Sequence, residues 1–172
     1  MRGYGRPINV LARNTTCYCR VERQNLRFLF TCIPGLGHFN PMAPLAHALK
    51  NAGHDVAFAT APCFAEVVTR AGLECISAGM DWDEQRLLET VPELRPVTKM
   101  YRGEWMMNNI FLDRSPRQMI PDLLTIIAAW RPDLIIAGSL EFGGALAAEK
   151  RACPTPGVTT RFGGTAGCCN MQ

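Results

Sequence analysis

The chain is predicted to fold as an α/β domain, a parallel sheet with helices on both faces. Short apolar runs of strand length alternate with amphipathic runs of helical period, the connections are only a few residues long, and glycines stand where the helices should stop. Its 172 residues suffice for one domain with a sizeable core, or a domain with tails. The alternation occupies residues 26–161. Residues 1–25 show no hydrophobic periodicity and read as a disordered or extended tail. Residues 162–172, small, polar or rich in cysteine, read as an irregular tail.

The apolar run from Leu26 to Ile33 opens the pattern as a buried strand. After it, Met42, Leu45, Ala46 and Leu49 recur on one helical face, with Asn40 expected as N-cap and Pro41 at the first helical position. Pro44 still falls among the amides that lack helical partners. This helix ends near Ala52 with Gly53 as its stop. Asp55 to Thr60 is a second strand, Pro62 to Ala71 a second helix closed by Gly72, and Glu74 to Ser77 a third strand. Asp83 to Glu89 reads as a short helix before the breakers Pro92 and Pro96. Arg102 to Asp113 reads as helical, and Met119, Leu123, Ile126, Ile127 and Trp130 form a stripe on a helix starting near Pro116 and ended by Pro132. Leu134 to Ala137 is a fourth strand, a helix follows from Phe142 to about Arg151, and Val158 to Arg161 is a fifth strand. Right-handed crossovers follow from this order.

The formal charge of +3 is uneven: residues 1–25 hold five arginines and one glutamate, leaving 13 basic against 14 acidic groups in the rest. A near-neutral body argues against a nucleic-acid surface. No apolar run reaches the ~18 residues of a transmembrane helix. The arginine-rich start lacks the apolar core of a secretory signal, although it faintly suggests a transit peptide. Without such a signal, the glycosylation pattern at Asn14 means little. Of eight cysteines, Cys32, Cys63 and Cys75 fall in or beside elements and read as small buried apolar residues. Cys17 with Cys19, and Cys168 with Cys169, lack zinc-site spacing and neighbouring histidines, so no metal is expected. Together with Cys153 they do not suggest a secreted disulfide scaffold, and a reducing, cytoplasmic location is expected.

The chemistry concentrates between Thr31 and Pro44, in the sequence TCIPGLGHFNPMAP. Gly35 and Gly37 suit a sharp turn or the close approach of a ligand. His38 is expected at the mouth of that turn, beside a helix N-terminus that favours anions. In such sheets ligands bind beyond the carboxyl ends of the strands, so the loop after strand four, Gly138 to Glu141, is expected on the same rim as His38. The run Gly35 to Asn40 misses the dinucleotide fingerprint at its third glycine, and Ala59, Thr60 and Ala61 stand where its acid belongs. A nicotinamide- or flavin-dependent oxidoreductase therefore remains only as a further alternative. His38 reads either as a histidine satisfied by backbone or as a general base that removes a proton from an attacking hydroxyl. A base of this kind works best with a carboxylate on its other nitrogen. His47, off the stripe of the first helix, reads as a surface residue, and His54 as a polar strand end.

The run from Arg27 through the block at Gly35 to Met42, continuing to Val56, resembles the start of GT-B glycosyltransferases, above all those that glycosylate macrolides, sterols and other lipophilic natural products. Trp130 to Ile136 and Glu141 to Glu149 are similar to later motifs of that N-terminal domain. The resemblance covers roughly residues 26–160 and implies a Rossmann-like GT-B N-terminal domain, incomplete at its end. It implies a hexosyltransferase, in which this domain receives the acceptor while a second domain, missing here, holds most of the nucleotide-diphosphate sugar. That sugar is a co-substrate, and no cofactor or metal is implied. His38 would be the base of direct inverting transfer, with Gly35 and Gly37 in the loop near the donor phosphate.

Members of the family commonly carry an acid just after strand four to orient the histidine. Gly138 falls at that place, and Glu141 is the nearest substitute, or else a group favoured near a helix start. The lipophilic acceptor would meet Phe39, Asn40, Trp82, Trp105, Met106, Ile110 and Phe111, which equally suit ordinary core packing. The rival to an active enzyme is a truncated, catalytically silent acceptor-binding or partner-binding domain.

Overall fold

The computed structural model describes residues 25–150 and the backbone of a strand at Val158–Arg161. The expected tails, apart from Asn25, lie outside the described residues, as do Asn14, Cys17, Cys19, Cys153, Cys168 and Cys169.

Five strands form one parallel sheet in the order β3-β2-β1-β4-β5. They are β1 (Arg27–Thr31), β2 (Asp55–Thr60), β3 (Glu74–Ser77), β4 (Leu134–Ala137) and β5 (Val158–Arg161). In register, Thr31 at the end of central β1 faces Ala59 of β2 and Ala137 of β4. All five strands lie where the apolar runs place them. The sheet is covered on both sides, so its strands are near-continuous apolar segments bounded by polar residues or glycine.

Alternate residues of β1 point to opposite faces. Phe28, Phe30 and Cys32 pack with Val56, Phe58 and Ile136 under α1 (Leu36–Phe39), α2 (Ala43–Asn51) and α3 (Ala65–Arg70). A 3-10 turn, Pro62–Phe64, leads into α3. Leu29, Ala57, Ala59 and Ile135 face the other way, against Met119, Leu123, Ile126, Ile127 and Ala147. Those residues belong to two further helices, separated from α3 by α4 (Leu87–Thr90) and α5 (Arg102–Met106). These are α6 (Ser115–Trp130) and α7 (Gly143–Lys150). A third cluster of Ile33, Trp82, Val91, Leu94, Met106 and Ile110 lies apart from both sheet faces.

Several expectations are corrected. Asn40 caps no helix start: α1 begins directly after Gly35, Asn40 ends it, and α2 starts at Ala43 with Pro44 in its first turn. On this face the buried residues are Met42, just before α2, and Ala46 within it, one turn apart, and Leu45 is exposed. The helix expected at Asp83–Glu89 begins only at Leu87, because the Asp83 carboxylate accepts the Gln85 amide at 2.8 Å and forms a turn. Arg102–Asp113 is helical, but from Met107 to Arg114 it is wound as a π-helix. Cys32 is buried and Cys75 half-buried, whereas Cys63 is exposed. Gly53 and Gly72 do close their helices, with φ of +90° and +75°. Among the described residues, no helix is long and apolar enough to cross a membrane.

Candidate functional site

At the carboxyl ends of β1 and β4 two loops meet that are about a hundred residues apart in sequence. The first leaves β1 through Cys32, Ile33 and Pro34, all buried, and reaches Gly35. A side chain at Gly35 would come within 2.8 Å of the Glu84 carboxylate and 3.4 Å of His38 Cδ2, so glycine lets both approach the backbone there. From Gly35 the chain turns straight into α1, which carries His38 in its last turn rather than beside a helix start. Phe39, the next residue, faces inward and packs its ring edge-on against Phe58 and Phe64, at 5.1 and 5.9 Å between centroids. That inward residue fixes the side of α1 from which the half-buried His38 emerges.

The second loop leaves β4. The Gly138 amide donates to Thr31 O at 2.8 Å, and the Glu141 amide to Gly138 O at 3.3 Å, which closes a four-residue turn. Leu140, the third residue of that turn, has φ of +65°, a conformation usually left to glycine or asparagine. The second, Ser139, places its Oγ 3.3 Å from His38 Nδ1.

Glu141 does not reach the imidazole in the hydrogen-bond pattern, so its expected role as the partner of His38 is corrected. Only 4 % exposed, its carboxyl accepts the Thr31 hydroxyl on one oxygen and the Gly144 amide at 3.0 and 3.1 Å. Burial raises its pKa above the ordinary carboxylate value, while the Thr31 hydroxyl and the amides of Gly144 and Gly143 act in the opposite direction. Gly138, at the place of the expected acid, carries no side chain and sits in tight surroundings. A Cβ there would lie 3.1 Å from Met42 Sδ and 3.2 Å from Thr31 O.

Of the residues expected to meet a lipophilic acceptor, Phe39 belongs to the packed sheet core instead. Trp82, Met106 and Ile110 are buried in the third cluster, with Trp105 and Phe111 half-buried against it and Asn40 exposed. Trp82 is buried, yet its Nε1 has no hydrogen-bond partner among the described residues. Beneath the rim lies a cavity of about 10 Å³ between Cys32, Ile33, Met80, Met119 and Glu141, room for no more than a single water. A wider cleft of about 430 Å³ lies at the opposite, amino end of the strands, lined by Arg27, Lys50, His54, Asp55 and Glu74 among others. Among the described residues, no group of three or more His, Cys, Asp or Glu could hold a metal ion.

Sequence reasoning missed Ser139 and Glu84. A serine in a turn after a strand is ordinary turn chemistry, and nothing local marks it as a neighbour of His38. Glu84 lies on an irregular segment whose path no periodicity reveals.

Residues 47–168 match the family described as Erythromycin biosynthesis protein CIII-like, N-terminal domain. The TDP-daunosamine transferase DnrS of Streptomyces peucetius is 32% identical to this chain over 142 residues, covering 72% of this chain and 33% of DnrS. The L-demethylnoviosyl transferase of Streptomyces niveus is 34% identical over 130 residues, covering 75% and 33%. The chain thus spans about a third of the length of the curated relatives it matches. Among solved structures it is similar to the glycosyltransferase VinC in complex with DTDP, with TM-score 0.60, 31% identity, and coverage of 80% of this chain and 35% of VinC. CalG4, the calicheamicin glycosyltransferase, gives TM-score 0.61 at 26% identity, covering 84% and 34%.

Proposed function

This chain belongs to the family of the CIII-like N-terminal domain, on the GT-B fold that its sequence resembles, and from that premise we propose that it is the acceptor-side part of an inverting glycosyltransferase. The reaction moves a hexose from a nucleotide-diphosphate sugar to a hydroxyl of a lipophilic small molecule. The observation that carries this reading is His38, half-buried on the carboxyl rim with Nδ1 next to a hydroxyl from the loop after β4. A ring held at Nδ1 leaves Nε2 to accept the proton of the acceptor hydroxyl as its oxygen bonds to the anomeric carbon. The bond from that carbon to the diphosphate breaks, and the diphosphate leaves with the electron pair. No metal or cofactor takes part in this scheme.

Gly37 suits the approach of the donor phosphates, since nothing lies within 4 Å of where its Cβ would be. Asn40, Trp105 and Phe111 carry the accessible surface of the acceptor residues, and Trp82, Met106 and Ile110 are packed behind Trp105 and Phe111. The names of the daunosamine and demethylnoviosyl transferases state the sugar that those relatives move, TDP-activated in the first, and support an activated sugar as donor.

The test incubates the chain with activated sugars and a panel of aglycones, wild type beside His38→Ala. Product formation should fall at least ~100-fold in the variant, the range of general-base catalysis. Turnover that survives the substitution would remove His38 as the base. If neither protein turns over while aglycones still bind, the chain acts as an acceptor-binding unit alone.

A further inference from the structure

We propose that Ser139, a neutral hydroxyl rather than an acid, holds His38 in the tautomer that keeps Nε2 unprotonated, and that buried Glu141 acts by locking the turn that presents Ser139. The proposal rests on reading His38 as the base and names the group that positions it.

Four observations converge on it. Ser139 Oγ is 3.3 Å from His38 Nδ1, across 101 residues of sequence. Gly138, the position nearer the strand end, carries no side chain and is closely flanked by Met42 and Thr31. Glu141, the nearest acid in sequence, is fully engaged with Thr31 and Gly144. Finally, the turn is one that leucine does not adopt by preference: Leu140 stands at φ +65°. Surrounding structure must hold it there. The holding contacts are the Glu141 carboxyl beneath the turn, the Gly138 amide on Thr31 O, and the packing of Leu140 against the third cluster.

A proton on Nδ1 donated to Ser139 Oγ fixes the ring and leaves the Nε2 lone pair outward. Accepting from Nδ1–H, the hydroxyl takes the place of a carboxylate, although unlike a carboxylate it can also donate, and it brings no charge to the imidazolium formed when Nε2 takes its proton. Ser139 is thus a positioning residue that acts through His38.

The tautomer can be read directly, independently of turnover. Long-range proton–nitrogen spectra of the full 172-residue chain, labelled with nitrogen-15, report which ring nitrogen of each histidine carries hydrogen. The pH is set high enough for all three rings to be neutral, and His38→Ala assigns the His38 signals. His54 is an internal reference for the opposite state, because its Nδ1 accepts the Leu26 amide at 3.3 Å and its proton must sit on Nε2. Wild-type His38 is expected to carry its proton on Nδ1. Ser139→Ala should shift the population to Nε2–H, and Ser139→Thr should restore Nδ1–H, with the backbone spectrum unchanged in both. Glu141→Gln, which can still bond Thr31 and Gly144, should keep the wild-type tautomer. A wild-type His38 protonated on Nε2, or a tautomer unmoved in Ser139→Ala, would overturn the proposal. Turnover surviving in His38→Ala would instead sink the general-base reading and leave the tautomer result standing.

Discussion

Glu141 binds its proton more tightly in the folded protein than a free carboxyl does, because burial outweighs the donors around it. The stability this group contributes is therefore complete below the ordinary carboxylate range and is lost as pH rises through the raised value. Urea unfolding across a pH series is expected to show Glu141→Gln gaining on wild type as pH increases; two parallel curves would mean that the carboxyl titrates normally. Glu141→Ala leaves the Thr31 hydroxyl and the Gly144 amide without their partner and should cost about 1–3 kcal/mol. Cys63 offers a second check. Its thiol is pushed up to about 12 by partial desolvation and by Asp81 beside it. Since the thiolate is the nucleophile, iodoacetamide at pH 8 should label Cys63 more slowly than free cysteine, and faster in Asp81→Asn. At this scale turn signals and spacing single out His38 as a candidate but not Ser139 as its neighbour. Counting finds the end of β4 to the residue, yet where the next three side chains point depends on Leu140 taking a left-handed conformation. That choice is imposed by packing from distant segments, and no local propensity announces it.

The strands were legible from their apolar runs and from the polar residues and glycines that bound them. Strands covered on both faces cannot slip without exposing apolar side chains, and the bounds of β2, β3 and β4 match the apolar runs. Helix α6 shows its stripe because Met119, Leu123, Ile126 and Ile127 all meet one sheet face. Leu123→Ala should cost about 2–5 kcal/mol in chemical denaturation, and Leu45→Ala, on the exposed side of α2, under about 0.5 kcal/mol. The start of α2 was misread because Asn40 and Pro41 look like a cap and first residue, while the break at Gly35 had already begun a shorter helix. The glycines opening α7 have a role that spacing alone does not disclose. A Cβ at Gly143 would meet Met119 at 2.8 Å, and one at Gly144 would collide with Thr31 Oγ1 and the Glu141 carboxyl. Gly144→Ala is expected to lower stability by about 1–3 kcal/mol in a thermal melt. Gly37→Ala meets no obstruction and should raise it by about 0.5–1 kcal/mol. Lost turnover in that stable variant would mark Gly37 as a point of ligand approach.

Over the whole molecule, protection should grade outward from the central strand. Amides of β1, paired on both sides and almost wholly buried, are expected to exchange slowest, and those of β3, paired to β2 and half-exposed, faster. Equal protection in β1 and β3 by hydrogen exchange would contradict this layering. The fold class was legible because alternation and short connections leave few topologies open. The region between β3 and α6 was not, because its short helical pieces pack on one another rather than on the sheet. That third cluster is tied down at two places, Ile33 just after β1 and Leu140 just after β4, and these are the loops that carry His38 and Ser139. The satellite core therefore works like the yoke of a pair of pincers. An enlarged side chain placed in it is expected to bear on both jaws together, and with them on the spacing of imidazole and hydroxyl.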